Sequence, residues 1–93
     1  MSGPLKGYKI LELTSTVSGP FAGMMLADQG AEVIKVEPPG LGDLARFMGT
    51  IKDGMGAMFS TLNRNKKCIC LDFKNDEDLA VLKKLVSKTD VII

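Results

Sequence analysis

Two short segments of the chain carry residue types that could bind a phosphate. Ser18 and Gly19 stand where a helix is expected to begin, and free amides and the positive end of a helix dipole attract anions there. Asp72, Phe73 and Lys74 follow a short apolar run and place one ammonium group where a strand should end. A helix start is also commonly a plain cap, and such a lysine is commonly just solvated. The residues alone leave both interpretations open.

The first segment differs from a dinucleotide-binding fingerprint. That fingerprint has glycines in Gly-x-Gly-x-x-Gly spacing and an acidic residue about 20 positions later. Glu37 has a suitable offset, but the segment supplies only Gly19 and Gly23, with Pro20 between them. Because proline has no N–H to donate, the glycine pattern disfavours an NAD-dependent oxidoreductase, which stays as an alternative.

Apolar runs and turn residues predict the order strand, helix, strand, long loop, strand, helix, strand. Strands are expected at 8–13, 32–36, 68–71 and 90–93, with helices at 18–29 and from Asn75 to about Lys88. This order is typical of a Rossmann-like α/β fold with a parallel sheet and right-handed connections. Ligands bind such sheets at the carboxyl ends of the strands, so segments 14–19, 37–42 and 72–75 should line the site.

Each predicted helix has its own end signals and apolar stripe. Ser18 is expected to cap the first helix and Gly30 to close it, while Asn75 opens the second. The predicted buried stripes consist of Phe21, Met24, Met25 and Leu26 in the first helix, and of Leu79, Leu82, Leu85 and Val86 in the second.

The stretch from residue 40 to residue 67 is rich in glycine and has only short helical possibilities, at 43–48 and 57–62. Long weakly structured segments are unusual inside a compact domain and often cover a substrate. This one also carries apolar side chains, which favour docking on other protein over a solvated linker. They are Phe47, Met48, Met55, Met58 and Phe59.

Composition excludes several classes of function. The chain has 93 residues, 45% of them hydrophobic and 25% charged, with a formal net charge of +1, so no strong field points to nucleic acid or a membrane. No apolar run reaches the ~20 residues of a membrane helix, and the cytoplasm is the expected compartment. Cys68 and Cys70 have neither zinc nor redox spacing and are predicted to be buried, reduced thiols. No metal site is expected.

Several motifs in order resemble the opening of family III CoA-transferases, the CaiB/BaiF family. They are Gly3-Pro-Leu-Lys-Gly-Tyr-Lys-Ile-Leu-Glu-Leu-Thr, Gly19-Pro-Phe-Ala-Gly, Leu26-Ala-Asp-Gln-Gly-Ala-Glu-Val-Ile-Lys-Val-Glu-Pro-Pro-Gly, Gly42-Asp-Leu-Ala-Arg and Asn65-Lys-Lys-Cys-Ile-Cys-Leu-Asp-Phe-Lys. The resemblance covers almost the whole chain. It implies that residues 1–93 are the N-terminal, incomplete part of the large CoA-binding domain of a longer, interlocked homodimeric enzyme.

The resemblance also implies positions for coenzyme A. The loop of Thr16, Val17 and Ser18 should lie along adenosine, and the adenine and ribose phosphate should be bordered by Leu71, Asp72, Phe73 and Lys74. Family members often have an arginine after the Glu37 equivalent, where this chain has Pro38. Either another cation such as Arg46 or Lys74 replaces it, or phosphate binding is weaker or differently arranged here.

Catalysis in this family uses an aspartate that attacks the acyl-CoA thioester, or a histidine and a carboxylate in its racemases. The chain has no histidine, and none of Asp28, Asp43, Asp53 or Asp72 matches the nucleophile, so no catalytic residue is assigned. The expected substrates are acyl-CoA and carboxylic acids, with no tightly bound cofactor. A 2-methylacyl-CoA racemase, or an interaction module without a ligand, stays as an alternative, and residues 1–93 alone are expected to be inactive.

Overall fold

A computed structural model describes residues 3–93 of the chain, so Met1 and Ser2 of the expected 1–93 domain lie outside the described residues. The strands of the main sheet are β1 (Lys9–Glu12), β2 (Glu32–Glu37), β5 (Lys67–Cys70) and β6 (Val91–Ile92). All pair in parallel in the spatial order β5-β2-β1-β6. Numbered along the chain, this is the order 3-2-1-4 of a Rossmann-like sheet, which confirms the predicted fold class.

The two longer helices cover opposite faces of this sheet. Helix α1 (Ser18–Asp28) follows β1, and helix α3 (Asp76–Ser87) follows β5. Successive strand residues point to opposite faces, so each helix has its own apolar cluster. The α1 cluster contains Ile10, Ala27, Ala31 and Val33. The α3 cluster contains Leu11, Val36 and Leu71, with Leu82 and Leu85 packed against it.

The long segment between β2 and β5 has more structure than the sequence predicts. A short 3-10 helix (Leu44–Phe47) and helix α2 (Ala57–Leu62) occur where helices were expected. Between them, β3 (Ile51–Lys52) and β4 (Met55–Gly56) form an antiparallel hairpin that was not predicted. Phe59 is buried, whereas Phe47, Met48 and Met55 are exposed, so docking by this segment stays a prediction.

Several local predictions about burial and capping are wrong. Val17, not Ser18, is the N-cap of α1, and no side chain caps that helix. Phe21 and Met25 are each 47% exposed, because α1 buries only a narrow stripe around Met24 and Ala27. In the predicted stripe of α3, Leu79, Leu82 and Leu85 are half-buried rather than buried, and Val86 is exposed.

Cys68 and Cys70 are exposed, which corrects the prediction of buried thiols. They lie on β5, an edge strand whose outer side is uncovered in residues 3–93. Within the same range, no helix is long and apolar enough to cross a bilayer.

Candidate functional site

An open cleft of 630 Å³ lies at the carboxyl ends of three neighbouring strands, β5, β2 and β1. Each strand contributes the residues that follow it. The walls consist of Leu13, Thr14 and Ser15 after β1, of Val36, Pro38 and Pro39 at the end of β2, and of Leu71, Asp72, Phe73 and Lys74 after β5. A smaller hollow of 350 Å³ lies at the opposite ends of the strands, around Tyr8, Glu32 and Lys67. The larger cleft is where parallel α/β sheets bind ligands.

The wall after β5 is a turn held from several sides. Asp78 on α3 accepts a hydrogen bond from the Asp72 amide at 2.8 Å, and the Asp72 carboxylate accepts one from the Lys74 amide at 3.0 Å. Asn75 then caps α3 by accepting from the amides of Glu77 and Asp78. These contacts fix the backbone and leave the Phe73 ring and the Lys74 side chain exposed at the cleft.

The structure brings together five of the predicted site residues and places the others nearby. Pro38 lies in the cleft wall together with the whole predicted segment of Leu71, Asp72, Phe73 and Lys74. Thr16, Val17 and Ser18 follow the wall residue Ser15 and lead into α1 without lining the cleft. Thr16 has a φ of 74°, a left-handed conformation that is uncommon for a β-branched residue.

Arg46 lies in the 3-10 helix, where its guanidinium pairs with Glu37, and it does not line the cleft. Its Nε and Nη2 donate to the two Glu37 carboxylate oxygens at 2.9 and 2.8 Å, and its guanidinium lies 3.8 Å from the centre of the Phe59 ring. The Glu37 hydrogen bonds raise the pKa of Arg46. Burial alone would raise the pKa of Glu37, but Arg46 and the Asp43 amide outweigh that effect and lower it. Glu37 is thus not free to bind a nucleotide ribose.

A buried network of charges lies beneath α1, beside the cleft. Lys35 Nζ lies 2.8 Å from Glu12 Oε2, and both side chains are fully buried. Lys66 Nζ lies 2.6 Å from the other Glu12 oxygen and also donates to the Pro20 carbonyl and to Asn63 at 2.8 Å. Burial lowers the pKa of Lys66, and the contact with Glu12 opposes this only in part. The network joins β1, β2, α1 and the end of α2.

Asp43 extends this network to the loop after β1. Its Oδ2 lies 2.8 Å from Lys35 Nζ, and its Oδ1 accepts from the amides of Thr16 and Ala45 at 2.9 and 2.8 Å. Burial would raise the pKa of Asp43, but Lys35 and these amides lower it overall. Burial likewise opposes the charge of Lys35, yet hydrogen bonds to Asp43 and Glu12 raise its pKa. The shifts of Lys35 and Asp43 therefore both favour the charged form of each side chain.

Sequence reasoning missed this network, although one signal for it was present. Lys35 lies in β2, between two other strands, and such a strand is covered on both faces. A lysine in that position has to be paired, because burying an unpaired charge is very costly. The pattern therefore indicates a buried ion pair, but it does not identify Glu12 and Asp43 as the partners.

The described residues form a binding surface more readily than a reaction centre. Three carboxylates beside the cleft, those of Glu12, Glu37 and Asp43, are each paired with a cation. The Asp72 carboxylate, in the wall itself, accepts a hydrogen bond from the Lys74 amide. Residues 3–93 also contain no cluster of side chains suited to a metal ion. The chemistry that the cleft walls present consists of apolar side chains, one aromatic ring, the Ser15 hydroxyl, the Asp72 carboxylate and the ammonium group of Lys74.

Comparison with known proteins gives a consistent result. The sequence profile of CoA-transferase family III matches residues 5–93. Over 91 residues, the chain is 45% identical to succinyl-CoA–D-citramalate CoA-transferase of Chloroflexus aurantiacus, covering 97% of this chain and 23% of that protein. The same identity and length hold for human succinyl-CoA:glutarate CoA-transferase, with 97% of this chain and 21% of the relative covered.

The fold agrees with a solved structure. A CAIB/BAIF family protein from Brucella suis superposes with a TM-score of 0.89 at 38% identity, over 99% of this chain and 25% of that one. The chain thus spans about a quarter or less of the relatives that it matches. None of these findings supports the racemase or the NAD-dependent alternative. Because the family profile covers nearly all of its residues, the chain belongs to CoA-transferase family III.

Proposed function

We propose that the protein is an enzyme that transfers coenzyme A between carboxylic acids, and that the cleft after β1, β2 and β5 binds part of CoA. Family membership supports the activity, since the two relatives compared above are CoA-transferases that use succinyl-CoA. The location of the cleft supports its role. It lies at the carboxyl ends of the strands, and four consecutive wall residues, 71–74, are those that the resemblance assigns to CoA.

The chemistry of the walls suits a nucleotide end of CoA. An exposed aromatic ring at Phe73 can stack on adenine, and Lys74 can pair with the ribose phosphate. Thr16, Val17 and Ser18 then lie along adenosine from the β1 side. Lys74 is a better phosphate partner than Arg46, because the guanidinium of Arg46 already donates two hydrogen bonds to Glu37. Pro38 contributes only an apolar wall.

The transfer itself belongs to residues outside this segment. In the proposed reaction, an aspartate attacks the acyl-CoA thioester, giving an aspartyl anhydride and CoA thiolate. The thiolate attacks the aspartyl carbonyl of this anhydride, which forms an aspartyl-CoA thioester and releases the donor carboxylate. The acceptor carboxylate attacks the thioester, giving a second anhydride and free thiolate. The thiolate then attacks the acyl carbonyl of the second anhydride, which forms the new acyl-CoA and restores the aspartate. We propose that the enzyme works as an interlocked homodimer in the cytoplasm without a tightly bound cofactor, and that residues 1–93 supply CoA binding only.

Replacing Lys74 tests the assignment of the cleft. A charge-assisted hydrogen bond to phosphate is worth about 1.5–3 kcal/mol, so Lys74→Ala should weaken CoA binding roughly ten- to a hundredfold by calorimetry. Lys84→Ala, which removes an exposed lysine from α3 away from the cleft, is the matched control and should leave the affinity unchanged.

The choice of ligand locates the contact within CoA. Dephospho-CoA lacks the ribose phosphate, so its affinity should depend little on Lys74 if that phosphate is the partner. Equal weakening of both ligands would place Lys74 at the diphosphate instead. Unchanged affinity for both ligands would contradict the role of Lys74, and an unmodified protein that binds neither would contradict the proposed function.

A further inference from the structure

Asp43 joins the loop after β2 to the loop after β1. Its side chain is only 1% exposed, and both carboxylate oxygens have partners. Oδ1 accepts hydrogen bonds from the Thr16 amide at 2.9 Å and from the Ser15 hydroxyl at 3.3 Å. Oδ2 faces Lys35 at 2.8 Å. One side chain therefore connects the buried charge network to a wall of the cleft.

The loop that Asp43 holds has a conformation that needs support. Thr16 has a φ of 74°, and a non-glycine residue persists in that region only where its surroundings hold it. The Asp43 oxygen satisfies the Thr16 amide in that conformation, and it also binds the hydroxyl of Ser15, which lines the cleft. Without Asp43, the two residues lose the contacts that fix them at the cleft edge.

The anchor of Asp43 is itself rigid. Lys35 is fully buried and is held by Glu12 at 2.8 Å and by the carbonyl of Thr14 at 3.0 Å. Thr14 belongs to the same cleft wall, so Lys35 and Asp43 together hold three consecutive residues, 14–16. A binding loop that is fixed before the ligand arrives loses less conformational freedom on binding, which raises affinity.

We propose that Asp43 is a positioning residue for coenzyme A, one that holds Ser15 and Thr16 in place without touching the ligand. This inference rests on the proposed CoA site. It gives Asp43 a role in CoA affinity that Glu12 does not share. Glu12 also pairs with Lys35. In the described part of the chain, however, its hydrogen bonds and ion pairs do not reach residues 15 and 16.

Three variants separate positioning from stability. Asp43→Ala and Glu12→Ala each leave Lys35 with one carboxylate, so urea unfolding should show a loss of stability in both. In the protein as encoded by its gene, Asp43→Ala should weaken CoA binding at least tenfold by calorimetry, and Glu12→Ala less than threefold. Asp43→Asn keeps an oxygen for the Thr16 amide and removes the charge facing Lys35. It should restore affinity to within threefold of the unmodified protein while remaining less stable.

Hydrogen exchange gives a second measurement that does not depend on the Ala variant folding. The peptide that contains Thr16 should be protected in the unmodified protein and in Asp43→Asn, both without CoA. Rapid exchange of that peptide in the unmodified protein would overturn the inference. The inference would also be overturned if both Ala variants lost affinity in proportion to their loss of stability. CoA binding that is unchanged in Asp43→Ala would overturn it as well. If the unmodified protein binds no CoA, the proposed function fails first and the inference fails with it.

Discussion

Replacing Lys35 by methionine tests whether the buried charges stabilise the fold. The substitution nearly preserves side-chain volume, places a sulfur where lysine has its δ-methylene and removes the ammonium group. That group lies 2.8 Å from both Glu12 and Asp43, and it donates to the Thr14 carbonyl at 3.0 Å. All three charged side chains are at most 1% exposed, so water does not replace the lost cation.

The expected cost follows mainly from Asp43, which loses its cation, whereas Glu12 keeps Lys66 at 2.6 Å. Removing one partner of a buried ion pair typically costs about 3–5 kcal/mol, because the remaining charge is buried without compensation. Small domains have about 5–15 kcal/mol of stability in total. Lys35→Met should therefore remove a large share of the free energy of unfolding, measured by urea denaturation at pH 7 with far-UV circular dichroism.

Lys67 provides the matched control on the neighbouring strand. Its side chain is 75% exposed and lies 3.5 Å from Glu32, also at the surface. Exposed pairs of this kind contribute roughly 0–1 kcal/mol, so Lys67→Met should change the free energy of unfolding by no more than that. Equal effects of the two substitutions, or a loss below about 1 kcal/mol for Lys35→Met, would refute the argument.

The pH dependence of the Lys35 variant gives an independent check. In the unmodified protein, Lys35 helps to keep the pKa of Asp43 below its ordinary value. Without Lys35, burial of Asp43 is opposed only by the amides of Thr16 and Ala45, so the pKa of Asp43 should rise and the folded variant should take up a proton more readily as the pH falls. The difference in stability between the two proteins should then be smaller at pH 5 than at pH 8.

Three further outcomes follow from local geometry. Gly23→Ala should destabilise the protein by about 1–3 kcal/mol in urea unfolding, because a Cβ there would overlap the buried Glu12 carboxylate. Asn75→Ala should cost about 1 kcal/mol by removing the cap of α3, and Asn75→Asp should not; equal losses in the two variants would contradict the capping role. The pKa values of Asp43 and Glu37 are lower in the folded protein than in the unfolded chain, where they are about 4. The stabilisation that these two carboxylates give to the fold is therefore complete above pH ~4 and is lost as the pH falls through their folded-state pKa values. Acid titration followed by circular dichroism should show this loss, and Asp43→Asn should reduce it.

The order of strands and helices in the main sheet could be predicted because each element carries local signals. Gly30 does adopt a left-handed conformation after α1, and Asn75 caps α3 as expected. The hairpin of β3 and β4 had a signal too. Asp53 and Gly54 at its turn both have positive φ, and Asp-Gly between short strands is typical of such turns. The surrounding glycines and the two-residue strands concealed it.

Helix burial was harder to predict, because it depends on what covers each face. Phe21 and Met25 fit an apolar stripe on α1, yet both are exposed in residues 3–93. The same holds for Cys68 and Cys70, whose residue type favours burial but whose strand lies at an edge of the sheet. A residue type indicates only a preference for burial. The arrangement of the strands and helices decides whether another element covers the side chain.

The cleft and the buried network show the same distinction. The wall at 71–74 was predictable, since the end of a parallel strand places its following residues at the ligand edge. The partner of Lys35 was not, because Glu12 and Asp43 lie on other segments and meet it only once β1 and β2 are paired. The register that aligns Glu12 with Lys35 brings this ion pair together. The turn after β2 then brings Asp43 onto the same lysine, so tertiary structure rather than any local pattern creates the link from the core to the cleft.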